Sequence, residues 1–204
     1  MTREELVAAV RLRLGTPDAD QLLTDAVIEA AVNEALQEIA AEHDWPWLEA
    51  SETITTVAGT DTYDVDSEWV RTRHLKPSDD LPLERYPIVM LDDLFPLPTT
   101  SGRPVAFAIE QSQLVLRPIP DRVMTLTHRF YKAEPELDGD MDVPLMPAQF
   151  HPAIAELATH IVLKRSREDA RSAAALESYG RWLSKMHRHR RKHAGPIRTR
   201  SRWD

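Results

Sequence analysis

The sequence predicts an α+β fold: N- and C-terminal helices packed as a helical bundle, a small antiparallel β portion inserted between them, and an extended basic C-terminal arm. Three observations carry this. Apolar residues recur at helical spacing up to about residue 43, at strand spacing through the middle of the chain, and at helical spacing again from residue 147. A Trp45-Pro46-Trp47 corner stands at the first change of period, in a stretch that runs on to Tyr63. Charge is also divided: residues 187–204 hold seven Lys/Arg against one acid, a net +6, while the preceding residues carry −14.

A chain of 204 residues holds one domain with a substantial core, plus arms. The expected organisation is a single α+β domain over residues 1–186, with helices at 2–14, 24–43, 147–165 and 169–190 and a β portion at 51–131, followed by an arm at 187–204 that is extended or disordered when unbound. Fifteen prolines against six glycines point to stiff, extended connections. The absence of cysteine excludes disulfides, thiolate chemistry and cysteine zinc sites. The first residues lack the apolar core of a signal peptide, and no apolar run approaches membrane-spanning length, so the expectation is a chain made in the cytoplasm with no membrane partner.

Thr2-Arg3-Glu4-Glu5 has capping-box spacing, Leu6, Val7, Val10 and Leu14 follow at helical steps, and Gly15 with Pro17 closes the helix. Thr24 is the expected cap of a second helix whose apolar face is Ile28, Val32 or Ala31, Ala35 and Ile39, with Leu36 beside it. Pro46 restricts its own φ and biases Trp45 toward extended backbone, ending that helix near His43 or Asp44. Trp45, Pro46, Trp47 and Tyr63 are then read as a core corner between a helical and a β layer.

Beyond the corner, Ile54 and Val57 among threonines, a turn at Ala58-Gly59-Thr60-Asp61 and a return at 62–65 predict a hairpin. Extended pieces follow at 69–75 and 81–86, then a short helix at 88–95 and three strands at 105–109, 114–118 and 123–131, with Pro118 and Pro120 at strand ends. From Pro147, a helix with the face Phe150, Ile154, Leu157, Ile161 and Val162 leads to a last helix. There Leu176, Tyr179, Leu183 and Met186 form a seam at steps of three and four, read as a subunit interface. Gly180 lies within this seam and costs about 1 kcal/mol relative to Ala unless close packing requires it.

No catalytic, metal or cofactor set emerges. Asp138-Gly139-Asp140-Met141-Asp142 begins like a calcium loop, but Val143 stands where the loop needs glycine and Gln149 where it needs glutamate. His189 and His193 have a ligand spacing but sit among cations. Neighbouring carboxylates at Asp79-Asp80 and Asp92-Asp93 do not point at one proton, and no nucleophile-elbow, Walker or GxGxxG pattern occurs. The basic arm is the remaining candidate, comprising Arg188, Arg190, Arg191, Lys192, Ile197, Arg198, Arg200, Arg202 and Trp203. Its cations suit phosphates or an acidic protein groove, and Ile197 and Trp203 add apolar anchors of the kind that dominate protein interfaces.

In order, ALQEIAAEHDWPWLEASETITTVAGTDTYDV, PLERY with a short helix, GRPVAFAIEQSQLVLRPIPD, THRFYK, DVPLMPAQFHPAI and two closing helices resemble the head-to-tail adaptor (connector) proteins of tailed bacteriophages. The resemblance covers roughly Asp25 to Met186. It implies a non-enzymatic virion protein without a cofactor, made in the host cytoplasm and assembled into the neck. Such proteins form a twelve-subunit ring under the portal, extend the DNA channel and bind a downstream neck or tail protein. It also implies that the C-terminal segment reaches the portal. An acidic body suits a channel through which DNA passes without specific binding, since like charge opposes phosphate binding. The rival expectation is a nucleic-acid-binding protein that uses the basic helix end and arm.

Overall fold

The computed structural model describes residues 1–15, 23–79, 81–97 and 99–193. It is mixed helix and strand, with helices at both ends of the chain and small, mainly antiparallel sheets between them. The chain divides into two compact units, one comprising Met1–Leu48 with the portion from Glu134 onward, the other Glu49–Ala133.

In the helical unit, α1 (Arg3–Leu14) begins with a complete capping box: the Glu5 N–H donates to Thr2 Oγ1, and the Thr2 N–H donates to Glu5 Oε2 at 3.0 Å. Gly15, at φ 72°, ends it in the left-handed conformation that glycine adopts without Cβ strain. The second helix, α2 (Asp25–Glu42), buries Ile28, Ala31, Val32, Ala35, Leu36 and Ile39. Thr24 occupies the N-cap position, yet its side chain makes no capping bond, and Asp25 instead accepts from Arg11 Nε at 2.9 Å.

After a 3-10 turn at Ala148–Phe150, α4 (His151–Arg165) is buried nearly all round and packs against α1, α2 and α5 (Asp169–His193). A helix apolar on every side belongs in the interior, and each fully buried Leu or Ile stabilises the fold by about 1.5–3 kcal/mol. The linker before it is fastened to α2: Asn33 exchanges side-chain bonds with both backbone groups of Leu137, and Gln37 Nε2 donates to Glu134 O at 2.8 Å. Of the predicted arm, residues 187–193 belong to α5, and residues 194–204 lie outside the described residues. Packing of an amphipathic face, rather than propensity, sustains a helix through such a run of like charge.

The β unit contains β1 (Glu49–Thr55), β2 (Thr62–Asp64), β3 (Trp69–Pro77), β4 (Glu84–Arg85), the short helix α3 (Ile88–Leu94), β5 (Ser101–Gly102), β6 (Ala106–Glu110), β7 (Gln113–Arg117), β8 (Ile119–Pro120) and β9 (Thr125–Lys132). The order β1-β9-β3 makes one sheet, β2-β7-β6-β4 a second, and β5-β8 a two-stranded pair. Ile54, Leu75 and Leu126 of the first sheet pack against Phe107, Leu114 and Leu116 of the second. This is a small sandwich.

The hairpin expected across residues 53–65 does not form, because β1 pairs with β9 and β2 pairs with β7. The turn itself is present, with the Thr60 N–H on Val57 O at 3.1 Å and Gly59 at φ 83°, but it carries the chain from one sheet to the other. Nonlocal bonds decide the partners: the Gly59 N–H donates to Pro120 O at 2.8 Å, and the Leu116 N–H to Asp61 O at 2.8 Å. Each strand thereby turns its apolar residue inward, the buried Ile54 opposite Leu126 and the half-buried Tyr63 opposite Leu114.

Candidate functional site

α2 ends at Glu42, with His43 in extended geometry as its C-cap, and Pro46 opens a short 3-10 turn, Pro46–Leu48. The last carbonyls of a helix lack intrahelical partners, and the Trp45 indole supplies one by donating to Ile39 O at 2.6 Å. Trp45 is fully buried, whereas Pro46 and Trp47 are half-buried. The two indoles stack at 4.7 Å between centroids with 11° between planes. Tyr63 lies in the β unit, where its hydroxyl donates to Thr60 O at 2.7 Å and accepts from the Val57 N–H at 3.0 Å.

The C-terminal end of α5 docks on this corner. Met186 is fully buried, and His187 and His189 project on either side of it. His187 lies 5.7 Å from Trp45 and 4.3 Å from His43, ring to ring, while His189 meets the Phe150 ring edge-on at 5.2 Å; Phe150 in turn packs on Trp47. Burial, aided by the facing His43, holds the His187 imidazole below its ordinary pKa. On the opposite side of the helix Arg188 and Arg191 are exposed, whereas Arg190, one turn beyond Met186, is half-buried on the docked side. The base of the predicted arm is therefore a cationic ridge on a helix whose other face is held by aromatic rings. Lys192 is helical, its side chain not described, and Ile197, Arg198, Arg200, Arg202 and Trp203 lie outside the described residues.

The predicted seam divides. Tyr179 and Met186 are buried against their own chain, Leu183 is half-buried and Leu176 is exposed. The Tyr179 hydroxyl donates to Glu42 Oε2 at 2.8 Å, and burial together with that carboxylate pushes its pKa far above the ordinary phenol value. On the same helix, Lys185 Nζ sits 3.8 Å above the half-buried Trp182 ring.

The calcium-like loop carries hydrogen bonds of its own. Asp142 Oδ2 accepts the N–H groups of Asp138 and Gly139, at 2.9 and 2.7 Å, and Asp140 pairs with Arg3. Three groups escaped sequence reasoning. Glu42, His43 and His187 bring ligating atoms within 4.8 Å of one another, across more than 140 residues of sequence. In the β unit, the Trp69 indole donates to Thr72 Oγ1 at 3.0 Å, Thr72 lies 2.8 Å from His128 Nε2, and His128 Nδ1 lies 2.7 Å from Glu52 Oε1. This acid–imidazole–hydroxyl order resembles a nucleophilic triad, but Thr72 and His128 are both buried and the chain ties β1, β9 and β3 together. An open cleft of about 450 Å³ in the same unit is lined by Leu83, Tyr86, Leu94, Phe95 and Val105, and Glu84 on its wall is hydrogen-bonded to the Tyr86 hydroxyl.

Among the described residues no helix is long and apolar enough to cross a membrane. Comparison with curated proteins gives no significant match. The family model described as SU10 adaptor protein matches residues 1–200, taking in α1 and most of the segment beyond α5 as well as the stretch whose resemblance was legible. A match across nearly the whole chain makes this protein a member of the SU10 adaptor protein family, a family of phage head-to-tail adaptors.

Proposed function

We propose that this adaptor is a structural component of the phage neck that forms a twelve-subunit ring under the portal, lengthens the DNA channel and presents a surface to the next neck or tail protein. The family match over residues 1–200 carries the reading. The exposed Arg188 and Arg191, with the half-buried Arg190, and the chain that continues from them form the portal-binding element, with Ile197 and Trp203 as its apolar anchors. Because aromatic contacts hold the root of this element, its affinity need not offset the entropy of ordering the root itself. Ring contacts use what α5 leaves uncovered, Leu176 and the exposed side of Leu183. The acidic remainder of the chain, at −14, repels phosphate and lets DNA pass without specific binding. The nucleic-acid reading has only the charge of the C-terminal segment in its favour.

The experiment is reconstitution with the cognate portal, imaged by electron microscopy. A ring on the portal is the expected product, and no ring at any salt concentration overturns the reading. Removing residues 197–204 is expected to reduce portal capture while leaving thermal unfolding of the remainder unchanged.

A further inference from the structure

We propose that Glu42, His43 and His187 form a binding site for a divalent transition metal of the zinc class, which clamps the C-terminal end of α5 to the C-terminal end of α2. The three side chains offer one carboxylate oxygen and two imidazole nitrogens, all within 4.8 Å of one another. Around a tetrahedral zinc ion with bonds of about 2.0–2.1 Å, ligand atoms sit roughly 3.3 Å apart. Modest side-chain rotations close that difference, and Glu42 is exposed while both histidines are half-buried, so they have room to make them. Solvent on the exposed side supplies a remaining ligand.

The surroundings favour this use. Both imidazoles pack against rings, and among the described residues their nitrogens make no hydrogen bond, which leaves them available to a ligand. The Tyr179 hydroxyl donates to Glu42 Oε2 and orients the carboxylate, as outer-shell partners of metal ligands do. The site also lies at the C-terminal end of α2, where the helix dipole favours a cation. Arg190 and Arg191 stand near His187 and oppose positive charge. That repulsion selects against calcium or magnesium, held mainly by charge on oxygen, and for a metal that bonds strongly to imidazole.

The site does not depend on the neck assignment, and its test uses the isolated full-length chain without a purification tag. Zinc chloride titrated calorimetrically is expected to show one ion bound per chain and to raise the unfolding temperature. His43→Gln and His187→Gln are each expected to abolish both effects, and Tyr179→Phe to weaken binding about tenfold. The double variant His189→Gln/His193→Gln is expected to bind as the parent does. No zinc binding by the parent chain, binding unchanged in His43→Gln or His187→Gln, or binding lost only in the double variant overturns the proposal. Should a single variant unfold, cobalt(II) absorption of the parent chain decides: a spectrum with carboxylate and imidazole ligands supports the site, and the spectrum of the free aquo ion overturns it.

Discussion

Trp45 and Trp47 stack face to face at 4.7 Å, and only Trp45 is fully buried, with its indole N–H on the Ile39 carbonyl. The pair is therefore unequal in energy. Trp45→Ala leaves a cavity and an unpaired carbonyl at the end of α2, and is expected to cost about 3–5 kcal/mol. Trp47→Ala loses the stacking and part of the burial and is expected to cost clearly less, because solvent already reaches the ring. Urea unfolding of the two variants checks the ranking, and equal costs contradict it.

The helices were legible because their signals are local: the box at Thr2 and Glu5, the proline after His43, and the apolar steps from Phe150 to Val162. The strands between were legible as strands but not as partners. Turn residues at Ala58-Gly59-Thr60-Asp61 specify a reversal and carry no information on which ladder the returning strand joins. The parallel pairs β4–β6 and β5–β8 involve two residues a side and leave no period to read. At the candidate site the cations from Arg188 to Lys192 stood out, whereas the contacts that hold their root, His187 on Trp45 and His189 on Phe150, join residues far apart in sequence.

The chain Trp69–Thr72–His128–Glu52 makes a second stability prediction. Thr72→Val keeps the shape of the side chain and removes its hydroxyl, so the buried His128 Nε2 and the Trp69 indole each lose a partner. A buried polar atom left unpaired costs about 1–3 kcal/mol, and a loss of that size is expected in urea unfolding. Glu52→Gln retains an oxygen acceptor for His128 Nδ1 and is expected to cost less. A neutral Thr72→Val overturns the view that the network holds the three strands.

Acid is expected to weaken the fold through buried histidine. His151 is 1% exposed, with Nε2 on Met146 O at 2.8 Å, and burial lowers its pKa from the ordinary 6.5. His74 is lowered likewise, by burial and then by Arg129 and Arg73. In the window between the lowered folded value and the ordinary one, the unfolded chain binds more protons than the folded chain, so stability rises with pH there. The unfolding temperature should accordingly fall as pH drops from about 7 to about 5, and His151→Gln, which cannot take up a proton, should flatten the decline. A decline unchanged in His151→Gln assigns the effect to other groups.

Gly180 separates the stability of α5 from its use in assembly. A methyl group built there meets nothing within 4 Å, and the residue is exposed, so no packing within the chain requires glycine. Gly180→Ala is expected to stabilise the isolated protein by about 0.5–1 kcal/mol, by restricting the unfolded chain and improving helix propensity. The same position lies beside the exposed Leu176 and half-buried Leu183, where a neighbouring subunit is proposed to pack. Gly180→Arg should then stabilise the isolated protein by a similar or slightly smaller amount and yet block ring formation on the portal. Rings that form normally with Gly180→Arg remove this part of α5 from the subunit interface and leave the basic ridge as the helix's one proposed contact.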